Sequence, residues 1–481
     1  MRLPGPRSPV WALAEGIGSA VLSLISMLAV ARLIGPEAVG LAVGALACFL
    51  LWDLLVSVIF TDAIIRHPAL QTRHVDSALT FALLLGCAMA VWLAAFAPSL
   101  AAFIEMPAAA PMIAALALLL PLSAVVGIAS GIAVRAQRYR LLALRVLVGQ
   151  PAGLLAAMAV AWAAGGAWAM IALQILLTAV TFVLLLPSLG RVPRPALDLM
   201  TLRELSSIAG PQTLATLVNN GKYRVFLVAV AVIASEAIVA QSHFAFRIVE
   251  AGLTAAWIAM ARISMPRLSL AAAGRGEFAR TYGELAQLSA LLGLPIAVGM
   301  GLVAPSFIIG VLGEQWSETA DATRIAAFAS AAYFLSGTAP SLFVALDRAR
   351  VNLMLSLLGT ACPFLWLLLV QPRTPSGFAV AWSTSAFVLP LVGGRIVLHA
   401  LGRSPFWLFR QVLPGLLAVA AMALVVIAVQ RWAGLEPLAE IALTVPLGSA
   451  VFAAAAWLAL GRQMPAALGP SPATALQEPG E

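Results

Sequence analysis

The residues best suited to chemistry lie in the stretch Asn219-Asn220-Gly221-Lys222-Tyr223-Arg224, which runs on without a break into Val225-Phe226-Leu227-Val228-Ala229-Val230. Lys222 is the only lysine in the chain. A cation in the middle of a hydrophobic span costs roughly 2.5–3.5 kcal/mol on insertion scales, so some other group must offset it. Arg247 follows in the next apolar stretch, with His243 and Glu250 at i, i+4 and i+7 spacing on one helix face. Lys222 lies about eleven residues before Ile233, and Arg247 about eleven after Glu236. At a rise of roughly 1.5 Å per residue, this predicts similar depth on neighbouring antiparallel helices. Two readings stand. In one, Glu250 neutralises Arg247, and His243 caps a structural ion-pair network. In the other, three cations share one nearby carboxylate, and the excess positive charge calls for a hydrated cavity and an anionic ligand. Arg224 either joins that set or snorkels away from it. In both readings the chemistry is binding, not bond cleavage.

The surrounding polar residues carry similar pairs of readings. Asn219 and Asn220 either hydrogen-bond between helices or contact sugar hydroxyls in a wet cavity. Gly210-Pro211, earlier in the same apolar segment, is either a gating hinge or a tolerated kink, because proline removes an intrahelical hydrogen bond. Glu15 and Asp53 are candidates for holding a coupling proton or sodium ion, or for interhelical hydrogen bonding; Glu250 is a third coupling candidate. Asp62 reads as a boundary residue at a cytoplasmic end. No metal centre and no cofactor are expected. Cys48, Cys87 and Cys362 each sit inside an apolar run, and no H-E-x-x-H or paired-cysteine spacing occurs. A G-x-x-x-x-G-K-[ST] phosphate loop is also missing, so the chain carries no nucleotide site of that kind.

These residues must be positioned by membrane helices. Of the 481 residues, 62% are hydrophobic and 10% charged, where a soluble domain carries about 25% charge. Mean hydropathy is +1.01. The apolar blocks exceed the roughly 20 residues needed to cross a bilayer as helix and predict about fourteen spans. Their approximate ranges are 10–33, 38–61, 78–104, 109–133, 142–163, 167–188, 206–232, 237–261, 286–311, 322–346, 350–371, 375–399, 408–430 and 440–461. All should be helical, because lipid leaves no partner for an unpaired backbone group. With the N-terminus inside, the outer loops hold only Arg32, Arg324, Arg373 and Arg431, and the spans hold Lys222, Arg224 and Arg247. Every other basic residue falls at a cytoplasmic end or loop, from Arg2 and Arg7 to Arg462. That asymmetry predicts both termini in the cytoplasm. The basic balance then reflects topology and anionic headgroups, not nucleic acid.

The organisation expected is an N-lobe of six spans over 1–190, a cytoplasmic linker over 191–205, a C-lobe of six spans over 206–400, two further helices over 401–463 and a disordered tail over 464–481. Glu37-Ala38-Val39 and Glu236-Ala237-Ile238 both occupy the outer turn after the first span of a block, a faint internal repeat of the kind from which transporters are built. In that frame the second block carries the cations and the first does not. The cytoplasmic stretch 265–288 reads either as an amphipathic interfacial helix or as a solvated loop.

Several motifs resemble one family. The run Leu28-Ala29-Val30-Ala31-Arg32-Leu33-Ile34-Gly35-Pro36-Glu37-Ala38-Val39-Gly40-Leu41 is similar to the "ARLLGPEEYGL" turn of bacterial polysaccharide transporters. These form the lipid-linked oligosaccharide flippase branch of the multidrug/oligosaccharidyl-lipid/polysaccharide exporter superfamily. Asp62-Ala63-Ile64-Ile65-Arg66 resembles the family's "aliqr" segment, Tyr223-Arg224-Val225-Phe226-Leu227-Val228 its "DRLLIG", and Phe244-Ala245-Phe246-Arg247-Ile248 its "SLAYRI". The chain departs from the pattern at Tyr223, where the family has an acid, and at Ala229, where it has glycine. Loss of the acid removes a neutraliser beside Arg224. The resemblance implies a two-lobed helical bundle with alternating access, moving an oligosaccharide on undecaprenyl diphosphate from the inner to the outer leaflet of the bacterial inner membrane. It implies membrane lipids and polysaccharide polymerase or export machinery as further partners. A basic site suits a diphosphate. It suits a cationic drug poorly, so a multidrug or small-molecule exporter of the same superfamily is the second reading. The short outer loops speak against a membrane polymerase or glycosyltransferase.

Overall fold

A computed structural model describes residues 5, 8–163, 165–271, 275–336, 339–346 and 348–461. Arg2, Arg7, Arg462 and the tail 464–481 lie outside the described residues, as do the side chains of Pro211, Arg275 and Glu277. The described chain is helical, with no β-strand among the described residues, and forms two compact units, Met1–His243 and Phe244–Glu481.

The first unit opens with α1 (Pro9–Val58). Ser8 caps it by accepting a hydrogen bond from the Val10 amide, and Pro9 stands where a missing N–H costs nothing. Its 50 residues are too many for one crossing. Gly35 breaks it with φ 79° and ψ 169°, a conformation open to glycine, and Pro36 restarts it. The family-like Gly-Pro-Glu turn is therefore a bend between two successive spans. Then come α2 (Thr61–Arg66), α3 (Thr72–Phe103), α4 (Ala110–Ala117), α5 (Leu120–Arg135), α6 (Tyr139–Ala163), α7 (Trp168–Leu185) and α8 (Leu199–Ile233). The core of this unit gathers Val56, Phe60, Ile64 and Leu79 with Leu202 and Leu205 from the foot of α8. So α8, which follows the linker, packs on α1, α2 and α3.

The second unit takes in most of α9 (Glu236–Ala271), then α10 (Arg275–Leu312), α11 (Ser317–Leu335), α12 (Ala339–Ala345), α13 (Ala349–Val370), α14 (Pro375–Val388), α15 (Gly394–Leu401), α16 (Pro405–Trp432) and α17 (Pro437–Ala459). Leu268, Phe278, Tyr282, Leu285, Leu342 and Phe343 are in its core. The described residues of the stretch 265–288 are the end of α9 and the start of α10; Leu268, Phe278 and Leu285 face protein, whereas Leu270 is exposed. At the other end of α10, Glu440 accepts hydrogen bonds from Ser306 (2.6 Å) and Gln430 (2.8 Å), tying α16 and α17 to it.

Among the described residues, 11 helices are long and apolar enough to cross a membrane, or up to 12 with the bent pair Pro107–Ala117 and Leu120–Arg135. That is fewer than the fourteen expected. One continuous stretch, Val10–Arg66, holds both of the first two expected spans. The expected span 322–346 is divided between α11 and α12 around Ser336, and α11 carries Glu318, Asp321 and Arg324.

Small residues let these helices approach closely, as lipid-embedded helices require. A Cβ added at Gly40 would lie 1.8 Å from the Glu236 carbonyl oxygen, and one at Gly127 would lie 2.0 Å from that of Ser57. We expect Gly40→Ala to lower the unfolding midpoint in detergent, costing about 1–3 kcal/mol or more by overpacking. Gly359→Ala, whose added carbon would meet nothing nearer than 4.0 Å, should leave the midpoint unchanged or slightly raised.

Candidate functional site

Residues two apart on an α-helix point roughly 200° apart, so Lys222 and Arg224 leave opposite sides of α8. The Arg224 side lies against the second half of α1. Its Nη1 donates to the Leu50 carbonyl and stands 3.8 Å from the Asp53 carboxylate. One turn away Gly221 packs beside the Leu54 side chain, and further down the Thr216 hydroxyl donates to Asp62 at 3.3 Å. The acid missing at position 223 is thus replaced by Asp53 from another helix, and Arg224 is held in place. Asp62 does more than mark a boundary, since it pins α8 to the end of α1.

Lys222 is in a different situation. It is half-buried, and among the described residues no acceptor or carboxylate reaches its ammonium group. Asn219 and Asn220, the preceding turn of α8, are exposed. Tyr223 meets His243 of α9, hydroxyl to Nδ1, at 2.8 Å. In the second unit Arg247 donates to Glu250 at 2.8 Å, the i, i+3 pair anticipated from their spacing. Glu15 accepts from Arg145 at 2.8 Å, and Arg145 also donates to Ser130 at 3.0 Å. Gly210 and Pro211 lie inside the continuous helix α8, and nothing comes within 4 Å of a Cβ built on Gly210. Among the described residues, the expected charged groups Arg224, Arg247 and Glu15 each have an oppositely charged partner, and Lys222 has none within reach.

One cluster was not anticipated. His67, His74 and Glu204 bring their ligand-type atoms within 4.8 Å of one another. Nε2 of His67 is 3.2 Å from Glu204 Oε1, and Nε2 of His74 is 3.4 Å from Oε2. Both histidines are buried, and their rings lie 4.3 Å apart. Beside them Arg135 of α5 donates to the carbonyls of Ile64, Ile65 and His67, closing the C-terminal end of α2. The linker follows the same face. Asp76 of α3 accepts from Arg191 at 2.5 Å and from the Arg194 amide at 3.2 Å, while Thr80 and Ser77 accept from the amides of Ala196 and Asp198. Two of the chain's 4 histidines stand seven positions apart across a proline turn. That spacing is the only sequence signal for the cluster, and it does not point to Glu204.

Two measurements follow. Single changes Arg224→Ala and Asp53→Ala should each cost about 1–3 kcal/mol in unfolding experiments. The double variant should lose less than their sum if the two side chains share one interaction. Glu204 lies outside the span Gln212–Ile233, and hydrogen bonds from His67, then His74, hold its carboxyl below the ordinary glutamate range. A depressed folded pKa gives stability that is complete above the unfolded value and fades as pH falls through the folded one. The acid limb of a melting-temperature profile should therefore flatten in Glu204→Gln.

The fold is shared with transporters. A solved structure titled "Lipid II flippase MurJ, inward closed conformation" matches with a TM-score of 0.75 at 12% identity, covering 95% of this chain and 100% of that one. An inward-facing multidrug resistance MATE family transporter of the MOP superfamily matches with a TM-score of 0.62 at 17% identity, covering 82% and 96%. A MOP superfamily transporter from Pyrococcus furiosus matches at 0.51 and 17% identity, over 83% and 96%. At these identities the likeness shows the fold alone: an all-α multi-pass membrane protein of the MurJ/MATE type. No curated protein matches the sequence. A family model described as "Polysaccharide biosynthesis protein" matches residues 29–321, which is most of the chain and includes the Gly-Pro-Glu bend, α8 and α9. The chain therefore belongs to the polysaccharide biosynthesis protein family, as a multi-pass membrane protein with a transporter fold.

Proposed function

We propose that the chain flips oligosaccharide repeat units carried on undecaprenyl diphosphate from the inner to the outer leaflet, by alternating access and without ATP hydrolysis. The observation that carries this reading is Lys222, a half-buried ammonium on a membrane helix that no described acceptor reaches. A lone cation there is stabilised by an anion that comes and goes, and a diphosphate offers several charged acceptors. Membership of a polysaccharide biosynthesis family supports a sugar-bearing substrate. The MurJ title names lipid II flippase, which supports a lipid-linked one.

On this reading Lys222 and Arg247 contact the diphosphate, with Asn219, Asn220 and His243 toward the sugars. Arg224 serves to fix α8 on α1. Among the coupling candidates Asp53 is favoured over Glu15 and Glu250, because its arginine partner stands 3.8 Å away and Asp53 can exchange it for a proton. Gly210-Pro211 is the proposed hinge. The proposed lobes, 1–190 and 206–400, are joined in sequence by the cytoplasmic 191–205 linker, with both termini on the cytoplasmic side of the bacterial inner membrane. Membrane lipids surround the bundle, and a polymerase or export complex receives the product. A small-molecule exporter is the alternative that the MATE-like fold keeps in view.

Deleting the gene should trap lipid-linked sugars on the cytoplasmic face, and mass spectrometry of that lipid would name the repeat unit. Lys222→Ala and Arg247→Ala, at normal protein level, should each cut surface polysaccharide by at least about tenfold, the effect of losing one charge-assisted contact. Unchanged polymer from both variants would sink the assignment.

A further inference from the structure

The cluster of His67, His74 and Glu204 has the composition of a metal site, but its hydrogen bonds point elsewhere. Nδ1 of His67 accepts the Ala69 amide at 3.1 Å, and Nδ1 of His74 accepts the Gln71 amide at 2.9 Å. The second of these is half of the capping box that starts α3, since the Gln71 side chain accepts from the His74 backbone in return. An imidazole nitrogen that accepts a hydrogen bond carries no proton. Both rings are therefore neutral with the proton on Nε2, and each Nε2–H donates to one oxygen of Glu204. A metal at Nε2 would need the proton moved to Nδ1, directly against a backbone N–H in both rings.

We propose that His67, His74 and Glu204 form a closed carboxylate–bis-imidazole latch that anchors the linker and the foot of α8, and so positions the Asn219–Arg224 stretch against α1. The latch joins three separate pieces of chain: the turn after α2, the first turn of α3 and the first turns of α8. Leu202 and Leu205, flanking Glu204, are buried in the core of the same unit, so the foot of α8 is seated by apolar contact as well as by the carboxylate. The linker leading to it is fastened by Asp76, Ser77 and Thr80. Charged groups around the latch are Arg135 from α5, which holds the His67 carbonyl, and Asp76 of α3 with its partner Arg191 from the linker. Farther along α8, Thr216 on Asp62 and Arg224 on Leu50 attach other faces of the same helix, up to the cation-bearing stretch. His67, His74 and Glu204 are positioning residues, acting through α8.

The anchoring stands without the transport reading, whereas the effect on transport rests on it. The test is amide hydrogen exchange on the full chain in detergent or nanodiscs, read at Arg194, Ala196 and Asp198, with polysaccharide output in cells as the second readout. Glu204→Ala should speed exchange at these amides by about tenfold or more, as the linker they fasten loses its anchor at the foot of α8, and lower polysaccharide output. His74→Gln keeps a donor near the Nε2 position and should retain the latch better than His74→Asn, which keeps only the capping acceptor. Exchange unchanged in Glu204→Ala overturns the latch. A stoichiometric transition metal in the purified chain, lost in Glu204→Ala, overturns it in favour of a metal site. Faster exchange with normal polymer overturns the positioning role alone. Lys222→Ala should leave exchange unchanged, so normal polymer in that variant counts against the flippase reading and not against the latch.

Discussion

Charge within a bilayer is tolerated only when another group meets it, and this requirement organises the molecule. Glu15 has Arg145, Asp53 has Arg224, Arg247 has Glu250, and Glu440 has Ser306 and Gln430. Three of these four tie different helices together, so the partners do structural work while lowering the cost of burial. Against that background Lys222 departs from the rule. Its helix is held on one side by Arg224, and the opposite side is where the lysine emerges. No carboxylate among the described residues reaches its ammonium group, although the helix that carries it is fastened to α1.

The mounting begins well away from the lysine. The linker lies along α3, the foot of α8 is seated by Leu202 and Leu205, and the histidine pair grips Glu204 between them. Thr216 and Gly221 then carry the contact toward Arg224. A helix attached at several heights and on several faces is fixed in rotation about its axis, which a single contact could not do. The departures from the family pattern make sense in this frame. Tyr223 gives up the local acid and gains His243, and Asp53 supplies the missing carboxylate from α1.

Much of the fold was legible in the sequence, because hydrophobic blocks and charge asymmetry report directly on lipid exposure. Gly35-Pro36 was readable as a turn, and the structure shows why: glycine takes the positive φ and proline opens the next helix. The count of fourteen was less secure. A hydropathy pattern cannot tell a kinked pair of spans from one long helix, nor see that α11 carries three charges before a break at Ser336. At the site, spacing along a helix exposed Arg247 with Glu250, since the i, i+3 relation is local. It could not expose Arg224 with Asp53, Glu15 with Arg145, or Glu204 with two histidines more than a hundred residues earlier, because those pairings depend on which helices become neighbours. Grouping Lys222 with Arg224 was the natural reading of a linear string, and helical rotation separates them.

The contact of Gly40 with the Glu236 carbonyl has a bearing on how such a chain can diverge. It is a meeting of main chain with main chain, so neither partner's side chain can be retuned to suit a new substrate, membrane or temperature. Sequence drift at this seam has a single permitted residue on one side and near indifference to side-chain identity on the other. Adaptation must then enter elsewhere, through the turns that flank the seam and the faces turned away from it. A chain of this kind can change its turns and outward faces more readily than it can change how these helices are spaced.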